Sequence, residues 1–177
     1  VSDRSALEAQ SSLDELAELA RTAGIRIVDR VTQRRKPDPK TLLGQGKLEE
    51  VVLLCLRRGA ELIIFDTELR PSQWRSITNS TELKVIDRSM LILDIFAQRA
   101  MSSEGRLQVE LAQLKYNMPK LVEKDAGLSR LSGGIGGRGP GETKLEVGRR
   151  TIRDRITQLE REVQSLSKQR ALRRVQR

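Results

Sequence analysis

The residue types best suited to chemistry in this sequence are the glycines and basic side chains of the stretch 131–144. Six of the chain's thirteen glycines lie within nine consecutive residues of this stretch. Because glycine has no side chain, backbone amides there can approach the backbone of a nucleic acid closely. Arg130, Arg138 and Lys144 add positive charge, and guanidinium groups can pair with phosphates or stack on exposed bases. The stretch predicts contact with a polyanion; the alternative is a flexible connection between two helices.

The positive charge of the chain is confined to its second half. Residues 1–98 contain 15 Lys and Arg and 15 Asp and Glu, whereas residues 99–177 contain 18 and 9. The whole net charge of +9 therefore lies in residues 99–177, which favours a polyanionic partner over an ordinary solvated surface. The residues predicted to bind the polyanion are Arg130, Gly133, Gly134, Gly136, Gly137, Arg138, Gly139, Gly141, Lys144, Arg149, Arg150, Arg153 and Arg155, and the family resemblance given below implies that it is RNA.

Two nucleotide-binding patterns are incomplete in the sequence. The run Gly134–Gly139 fits the spacing G-x-G-x-x-G, but a dinucleotide loop follows a strand and opens a helix, whereas Pro140 follows here. In the only Gly-Lys pair, Gly46-Lys47, the next residue is leucine where a phosphate loop needs Ser or Thr. The turn at 44–47 either binds an anion at a helix N-terminus or, more simply, leads tightly into that helix. We expect no catalytic residue, cofactor-binding residue or metal ligand in this chain.

The other candidate side chains favour structural roles. The chain has no histidine, which removes the commonest general base and metal ligand. Cys55 lies in an apolar run, which predicts a buried thiol and fits a reducing cytoplasmic location. Asp66, Glu68 and Asp87 follow predicted strands and are interpreted as caps and loop residues. Trp74 is predicted to pack on the sheet. No apolar run approaches the roughly 20 residues of a membrane-spanning helix.

Residues spaced alternately by three and four, all apolar except Glu104 and Arg149, flank the glycine-rich stretch on both sides. They are Leu93, Ala97, Ala100, Glu104, Leu107, Leu111, Leu114, Met118 and Leu121 before it, and Leu145, Arg149, Ile152, Ile156, Leu159, Val163 and Leu166 after it. This period predicts a coiled-coil seam between two helices that fold back as an antiparallel hairpin. The expected opposite pairs include Leu114 with Ile152. Tyr116 lies off this seam, where it either stacks on a base or covers the edge of the seam.

The first ninety residues alternate between predicted helices and strands. The helices are one capped by Ser12 and ending at Gly24, one from Lys47 to Arg58 closed by Gly59, and one from Pro71 to Thr78. Strands are predicted at 25–31, 62–65 and 83–86, with a short extended piece at 42–44 and an edge strand expected upstream of Val1. The predicted fold class is α/β, with a small parallel sheet, flanking helices and then the hairpin. The predicted domains are residues 1–92 for the α/β subdomain, 93–170 for the hairpin with a tip loop at 124–143, and 171–177 for a basic tail.

Four blocks of the sequence resemble the N-terminal region of the HflX-type ribosome-associated GTPases. They are residues 41–50, 85–100, 104–114 and 133–146, and they include Asp87-Arg88, Ile92-Leu-Asp-Ile-Phe-Ala-Gln-Arg99 and Gly139-Pro-Gly-Glu-Thr-Lys144. The resemblance covers roughly residues 12–170. It implies a small α/β subdomain followed by a helical hairpin, in agreement with the pattern of the residues themselves.

The resemblance also implies a function. In that family the hairpin enters the large ribosomal subunit, its glycine loop reaches ribosomal RNA near the peptidyl-transferase region, and the protein separates the subunits of stalled ribosomes. GTP and magnesium belong to a P-loop GTPase domain that begins shortly after the second hairpin helix. This sequence ends before such motifs, so we expect no GTPase activity in it. The implied partners are the large subunit and the C-terminal GTPase domain of the same protein, with the chain a monomer.

A second hypothesis is a nucleotide-binding or nucleotide-hydrolysing α/β domain that acts alone, with the hairpin as an oligomerisation arm. The residues favour the RNA-binding hypothesis, because glycine and charge are concentrated in the hairpin while the α/β part lacks a phosphate-binding motif.

Overall fold

The computed structural model describes the backbone of residues 6–131 and 144–175, and the side chains of residues 7–120, 146–170 and 172. The chain divides between residues 95 and 96 into two compact units, called the α/β unit and the hairpin unit below. The described elements are α1 (Ala6–Thr22), α2 (Gln45–Arg58), β1 (Leu62–Phe65), α3 (Pro71–Thr81), β2 (Lys84–Asp87), α4 (Arg88–Arg99), α5 (Ser103–Leu131) and α6 (Lys144–Val175).

Most helix ends in the α/β unit lie close to the predicted positions. α2 ends at Gly59, which adopts the left-handed conformation with φ 64°, and α3 begins at Pro71, whose fixed φ suits a first helical turn. α4 follows Asp87, whose Oδ1 accepts the backbone N–H of Met90 at 3.0 Å. α1 begins earlier than predicted, at Ala6, so Ser12 lies inside the helix, where its hydroxyl donates to Asp66 instead of capping.

The described sheet has two parallel strands. β1 pairs with β2 in the register Leu62 with Lys84 through Phe65 with Asp87, and α3 makes the crossover between them. Successive residues of a strand point to opposite faces, so the sheet separates two apolar clusters. Ile63, Phe65 and Val85 pack with α2 and α3 in one cluster, which also contains Cys55 and Trp74. In the other, Leu62, Ile64 and Ile86 pack with Leu16, Ala20, Leu91 and Ile95 from α1 and α4.

The predicted strand at 25–31 is wrong as a strand, because these residues are not paired in any described ladder. Ile25, Ile27 and Val31 are half-buried, whereas Arg26 and residues 28–30 are exposed, so the burial alternates only at the start of the segment. A strand needs a second backbone beside it, and sequence periodicity does not supply one. The short extended piece at 42–44 contributes one isolated antiparallel bridge, between Asp38 and Leu42.

The first arm of the hairpin is interrupted, in contrast to the single helix expected from the seam. α4 ends at Arg99 and α5 begins at Ser103. Ser102 lies between them, and its hydroxyl accepts the backbone N–H of Gly105 at 3.0 Å. This is an N-cap, which starts a new helix and leaves the backbone before it free to change direction. The predicted tip loop 124–143 is also shorter in the structure, because α5 continues to Leu131 and α6 begins at Lys144.

The hairpin unit consists of α5 packed against α6. Glu104, at the start of α5, pairs with Arg170 near the end of α6 at 2.8 Å, so the helices run antiparallel as predicted. Leu159 of the predicted seam is completely buried. Leu107, Leu114, Ile152 and Ile156 are half-buried, whereas Arg149, also assigned to the seam, is exposed. Arg149 keeps its charged group in water, because burying an unpaired guanidinium in the contact between the helices is costly.

Candidate nucleic-acid interface

α6 carries a row of exposed basic side chains that we call the α6 basic stripe: Arg149, Arg153, Arg161 and Lys168. A helix advances about 100° per residue, so these four lie within an arc of about 120°. The buried Leu159 lies outside that arc, on the side of the helix that packs against α5. None of the four makes an ion pair with another described residue. The stripe therefore presents charge that is available to a partner. Arg150 lies on the same arc and is exposed.

Arg155 differs from Arg149 and Arg153, because it has an ion-pair partner among the described residues. Its Nε and one terminal nitrogen donate to Glu110 Oε1 of α5, at 2.8 and 2.7 Å. A second pair, Lys115 Nζ to Glu160 Oε1 at 2.6 Å, also joins the two helices. Such partly exposed pairs contribute roughly 0–1 kcal/mol each, so they fix the way the helices face each other more than they stabilise the unit. Arg155 is therefore committed to the contact between α5 and α6.

The rest of the predicted RNA-binding set lies outside the described side chains. Gly133, Gly134, Gly136, Gly137, Arg138, Gly139 and Gly141 fall within 132–143, where the structure is not described. Arg130 and Lys144 lie in the last residues of α5 and the first of α6, and their side chains are likewise outside the description. Their role in binding stays a prediction of the sequence.

Lys120 is a residue whose position the sequence analysis missed. It is buried, with 4% exposure, and its Nζ lies 4.1 Å from the ring centroid of Tyr116. A cation over an aromatic face is an attractive contact, and here it covers one face of the ring that was a candidate for base stacking. The i, i+4 spacing of the two residues could have indicated this contact. Of the two roles considered for Tyr116, the contact favours packing within the hairpin.

Polar side chains at the carboxyl ends of β1 and β2 pair with one another and with α1. Arg88 pairs with Glu15 of α1 and, at 3.0 Å, with Asp66 after β1. These two carboxylates raise the pKa of the Arg88 guanidinium. Asp87 is completely buried, and its Oδ2 accepts the backbone N–H of Leu69 at 3.1 Å. Of the three carboxylates interpreted as caps and loop residues, Asp66 and Asp87 therefore have partners within the α/β unit.

The structure also tests the remaining small sites. Cys55 is buried as predicted, and burial raises the pKa of its thiol. Trp74 packs on the sheet and donates from Nε1 to Val85 O at 2.9 Å. In the turn before α2, the N–H of Gly44 donates to Gln33 Oε1 at 2.9 Å, and Lys47 pairs with Glu50. The Gly44 N–H and the Lys47 ammonium group are therefore engaged within the turn and the helix, which favours the tight turn.

Within the described part of the chain, no three His, Cys, Asp or Glu side chains form a group that could hold a metal ion. None of the described helices combines the length and apolarity that crossing a membrane requires.

Comparison with known families agrees with this architecture. The family described as GTP-binding GTPase N-terminal matches residues 10–97, and the one described as GTP-binding GTPase Middle Region matches residues 99–177. The GTPase HflX of Caldanaerobacter subterraneus subsp. tengcongensis is 50% identical over 171 residues, which are 96% of this chain and 40% of that protein. The GTPase HflX of Escherichia coli K12 is 46% identical over 159 residues, which are 89% of this chain and 37% of that protein.

Solved structures share the fold. A crystal structure of the SsGBP and GDP complex superposes with a TM-score of 0.69 at 23% identity, and covers 89% of this chain and 42% of that chain. A GTP-binding protein from the archaeon Sulfolobus solfataricus, in complex with GDP, gives a TM-score of 0.63 at 23% identity, and covers 87% and 42%.

The α/β unit followed by the helical hairpin therefore corresponds to the N-terminal and middle regions of a GTP-binding protein of the GTPase class. More narrowly, the chain belongs to the HflX family. It spans about 40% of the length of the curated relatives it matches.

Proposed function

We propose that this chain is the ribosome-binding region of an HflX-type GTPase and that its hairpin binds RNA of the large ribosomal subunit. The observation that carries the proposal is the α6 basic stripe, within a half-chain that holds the entire net charge of +9. The family relationship indicates that the protein is a GTPase, and the positive charge indicates that the partner is a nucleic acid.

The packing of the hairpin makes its basic side chains available to RNA. Leu159 and its apolar neighbours face α5, and the Arg155–Glu110 pair directs that arginine to the same side. Arg149 and Arg153, one helical turn apart, project from the remaining surface without ion-pair partners among the described residues. Guanidinium groups in this arrangement suit successive phosphates along an RNA backbone.

The glycine-rich residues between α5 and α6 would bind differently from the stripe. Without side chains, their amides can approach RNA backbone or bases more closely than any other residue type allows. We propose that they reach ribosomal RNA near the peptidyl-transferase region, and that the parent protein separates the subunits of stalled ribosomes in the cytoplasm. GTP and magnesium would act in the GTPase domain of the same polypeptide, so the 177-residue chain should not hydrolyse GTP.

Ribosome co-sedimentation across a salt series tests the role of the stripe. Replacing one phosphate-contacting arginine should weaken binding and reduce the salt slope by about one unit. We expect this for Arg153→Gln. Arg35→Gln removes the same charge from an exposed position in the α/β unit and serves as the matched control. Arg155→Gln should have a smaller effect on the slope, because its charge is already paired with Glu110. Equal salt slopes for the Arg153 and Arg35 variants would refute the assignment of the stripe.

A triple alanine variant at Gly134, Gly136 and Gly137 tests the tip. Subunit splitting is measured with the full-length GTPase carrying the three substitutions, and circular dichroism checks folding. We expect weaker ribosome binding or splitting with a nearly unchanged salt slope, because no charge is removed. If the variant binds and splits ribosomes like the parent protein, the glycine-rich residues only connect α5 to α6.

The alternative function, a nucleotide-binding α/β domain with the hairpin as an oligomerisation arm, makes a different prediction. A ligand that binds the folded state raises the melting temperature. The alternative would be favoured if a non-hydrolysable GTP or ATP analogue raised the melting temperature of the 177-residue chain and if the molecular mass of the chain increased with protein concentration. We expect neither.

A further inference from the structure

The α6 basic stripe consists of two cationic groups with an interval between them. Arg149 and Arg153 form the first group, about 6 Å apart along the helix at a rise of 1.5 Å per residue. Arg161 and Lys168 form the second group, about 10 Å apart. About 12 Å separates the two groups, and the exposed Thr157 lies in this interval on the same arc of the helix. A ligand that crosses the stripe therefore meets positive charge, then a hydroxyl group, then positive charge again.

The hydroxyl group of Thr157 is arranged to accept a hydrogen bond from a ligand. Thr157 Oγ1 donates its proton to the backbone carbonyl of Arg153 at 3.0 Å. A hydroxyl oxygen has two acceptor lone pairs besides its one proton, so it can still accept from a donor outside the helix. Phosphate groups of a nucleic acid carry no proton to donate, whereas the 2′-hydroxyl group of ribose is both donor and acceptor. The hydroxyl group of Thr157 therefore suits a ribose better than a phosphate.

The interval between the two groups is unsuited to a single strand laid along the stripe. Asp154 is exposed at the edge of the arc, and Glu160 lies on the arc, where it pairs with Lys115 of α5 at 2.6 Å. A single strand would carry its phosphates past both carboxylates, which repel them. Single strands are also held by bases that stack on aromatic side chains, and none of the chain's four aromatic residues lies on α6.

Double-helical RNA presents the matching groups across its minor groove. In the A-form helix this groove is wide and shallow, lies between the phosphates of the two strands and displays 2′-hydroxyl groups. α6 is one continuous helix of 32 residues, so its side chains keep a fixed spacing over the whole stripe. Each cationic group can then meet the phosphates of one strand while Thr157 reaches a ribose between them.

We infer that the α6 basic stripe binds double-helical RNA across its minor groove, and that Thr157 accepts a hydrogen bond from a ribose 2′-hydroxyl group there. The inference rests on the proposed function and narrows its partner from RNA in general to duplex RNA. Arg149 and Arg153 bind the phosphates of one strand, and Arg161 and Lys168 bind those of the other. DNA lacks the 2′-hydroxyl group, so Thr157 is a residue that distinguishes RNA from DNA.

Thr157→Val tests the hydroxyl group, because valine keeps the branched shape of threonine and removes its oxygen. Thr151→Val is the matched control. Thr151 is an exposed threonine of the same helix whose hydroxyl group donates to Val147 O at 2.9 Å, but it lies about 80° outside the arc. Three probes are compared by fluorescence anisotropy across a salt series: an RNA duplex of about 16 base pairs, a DNA duplex of the same sequence, and a single RNA strand.

We expect the 177-residue chain to bind the RNA duplex about tenfold more tightly than either other probe. Thr157→Val should weaken binding of the RNA duplex about three- to tenfold, the effect of one lost hydrogen bond, and leave binding of the DNA duplex unchanged. Thr151→Val and the conservative Thr157→Ser should bind all three probes like the parent chain. Arg153→Gln and Arg161→Gln should each reduce the salt slope for the RNA duplex by about one unit.

Equal affinities for the RNA duplex and the single strand would overturn the inference. Equal losses from Thr157→Val and Thr151→Val, or a loss from Thr157→Val that is the same for RNA and DNA duplexes, would also overturn it. The proposed function would survive each of these results if Arg153→Gln still weakened co-sedimentation with ribosomes. A chain that bound neither the probes nor ribosomes would refute the proposed function itself.

Site-directed cleavage decides the case in which the chain co-sediments with ribosomes but binds none of the short probes. An iron–EDTA group is attached through Thr157→Cys, and the buried Cys55 leaves the new thiol as the one that reacts. The group generates hydroxyl radicals that cleave RNA near residue 157 on the bound large subunit. Cleavage on both strands of an RNA double helix would support the inference, and cleavage confined to single-stranded RNA would overturn it.

Discussion

Truncation of Leu159 to alanine should destabilise the hairpin unit selectively. Leu159 is completely buried in the contact between α6 and α5. Burial of a leucine side chain contributes about 1.5–3 kcal/mol, and a Leu→Ala change in a core costs about 2–5 kcal/mol because a cavity is added. Two leucines of the predicted seam on α5, Leu107 and Leu114, are only half-buried, so the helices can close partly over the gap. We therefore expect a loss near the lower end, about 2–3 kcal/mol.

Two optical signals separate the hairpin unit from the α/β unit. The single tryptophan of the chain, Trp74, lies in the α/β unit, so its fluorescence reports that unit during urea unfolding. Circular dichroism at 222 nm reports the helices of both units, and α5 and α6, with 29 and 32 residues, hold about half of the described helix. Leu159→Ala should move the hairpin's part of the dichroism transition to lower urea and leave the fluorescence transition in place.

Leu172→Ala is the matched control, because that leucine of the same helix is 64% exposed. Its truncation should change stability by less than about 0.5 kcal/mol. Equal losses for the two variants would show that the packing of α6 against α5 has been wrongly assigned. The assignment would also be wrong if Leu159→Ala lowered the stability measured by Trp74 fluorescence and not the stability measured by circular dichroism.

Three further predictions concern the α/β unit. Gly59→Ala should lower the free energy of unfolding of the α/β unit by about 1 kcal/mol, measured by Trp74 fluorescence in urea. Gly59 has φ 64°, and an added Cβ would meet no atom within 4 Å, so backbone strain is the only penalty. An unchanged midpoint would contradict this. The backbone amides of Lys40 and Thr41, at 2.8 and 2.9 Å from Asp38 Oδ1, lower the pKa of the Asp38 carboxyl. The ionised carboxylate therefore stabilises the folded state above the pKa of the unfolded chain, and this stabilisation is lost as the pH falls through the pKa of the folded state. Asp38→Asn should therefore destabilise the unit at pH 7 and flatten its loss of stability below about pH 4, as measured by urea titrations at several pH values; parallel pH profiles of the two proteins would refute the role of the carboxylate. Because Cys55 is buried and its thiol pKa is raised, its reaction with Ellman's reagent at pH 8 should be slow in the native protein and fast in urea, and equal rates would mean that the thiol is accessible.

The sequence alone determined the features that depend on neighbouring residues. Apolar residues spaced by three and four predicted the helices that pack in the hairpin, and Gly59 and Pro71 marked helix boundaries because each has a backbone preference of its own. The apolar run at 62–65 likewise indicated a strand, and the uneven charge could be counted directly. The family was recognisable for the same reason, since blocks of sequence carry it without reference to the fold.

The tertiary structure decided which groups meet. Residues 25–31 have the alternation of a strand but no paired backbone, because pairing depends on a partner elsewhere in the chain. Arg155 and Arg153 look alike in the sequence, yet one is bound to Glu110 of α5 and the other lies in the basic stripe. Lys120 is buried over Tyr116 although lysine is among the residues most often exposed. For residues 25–31 and Arg155, the surroundings are set by residues distant in the sequence, and the local pattern carries no record of them. For Lys120, the i, i+4 spacing to Tyr116 is visible in the sequence, whereas the burial of the lysine is not.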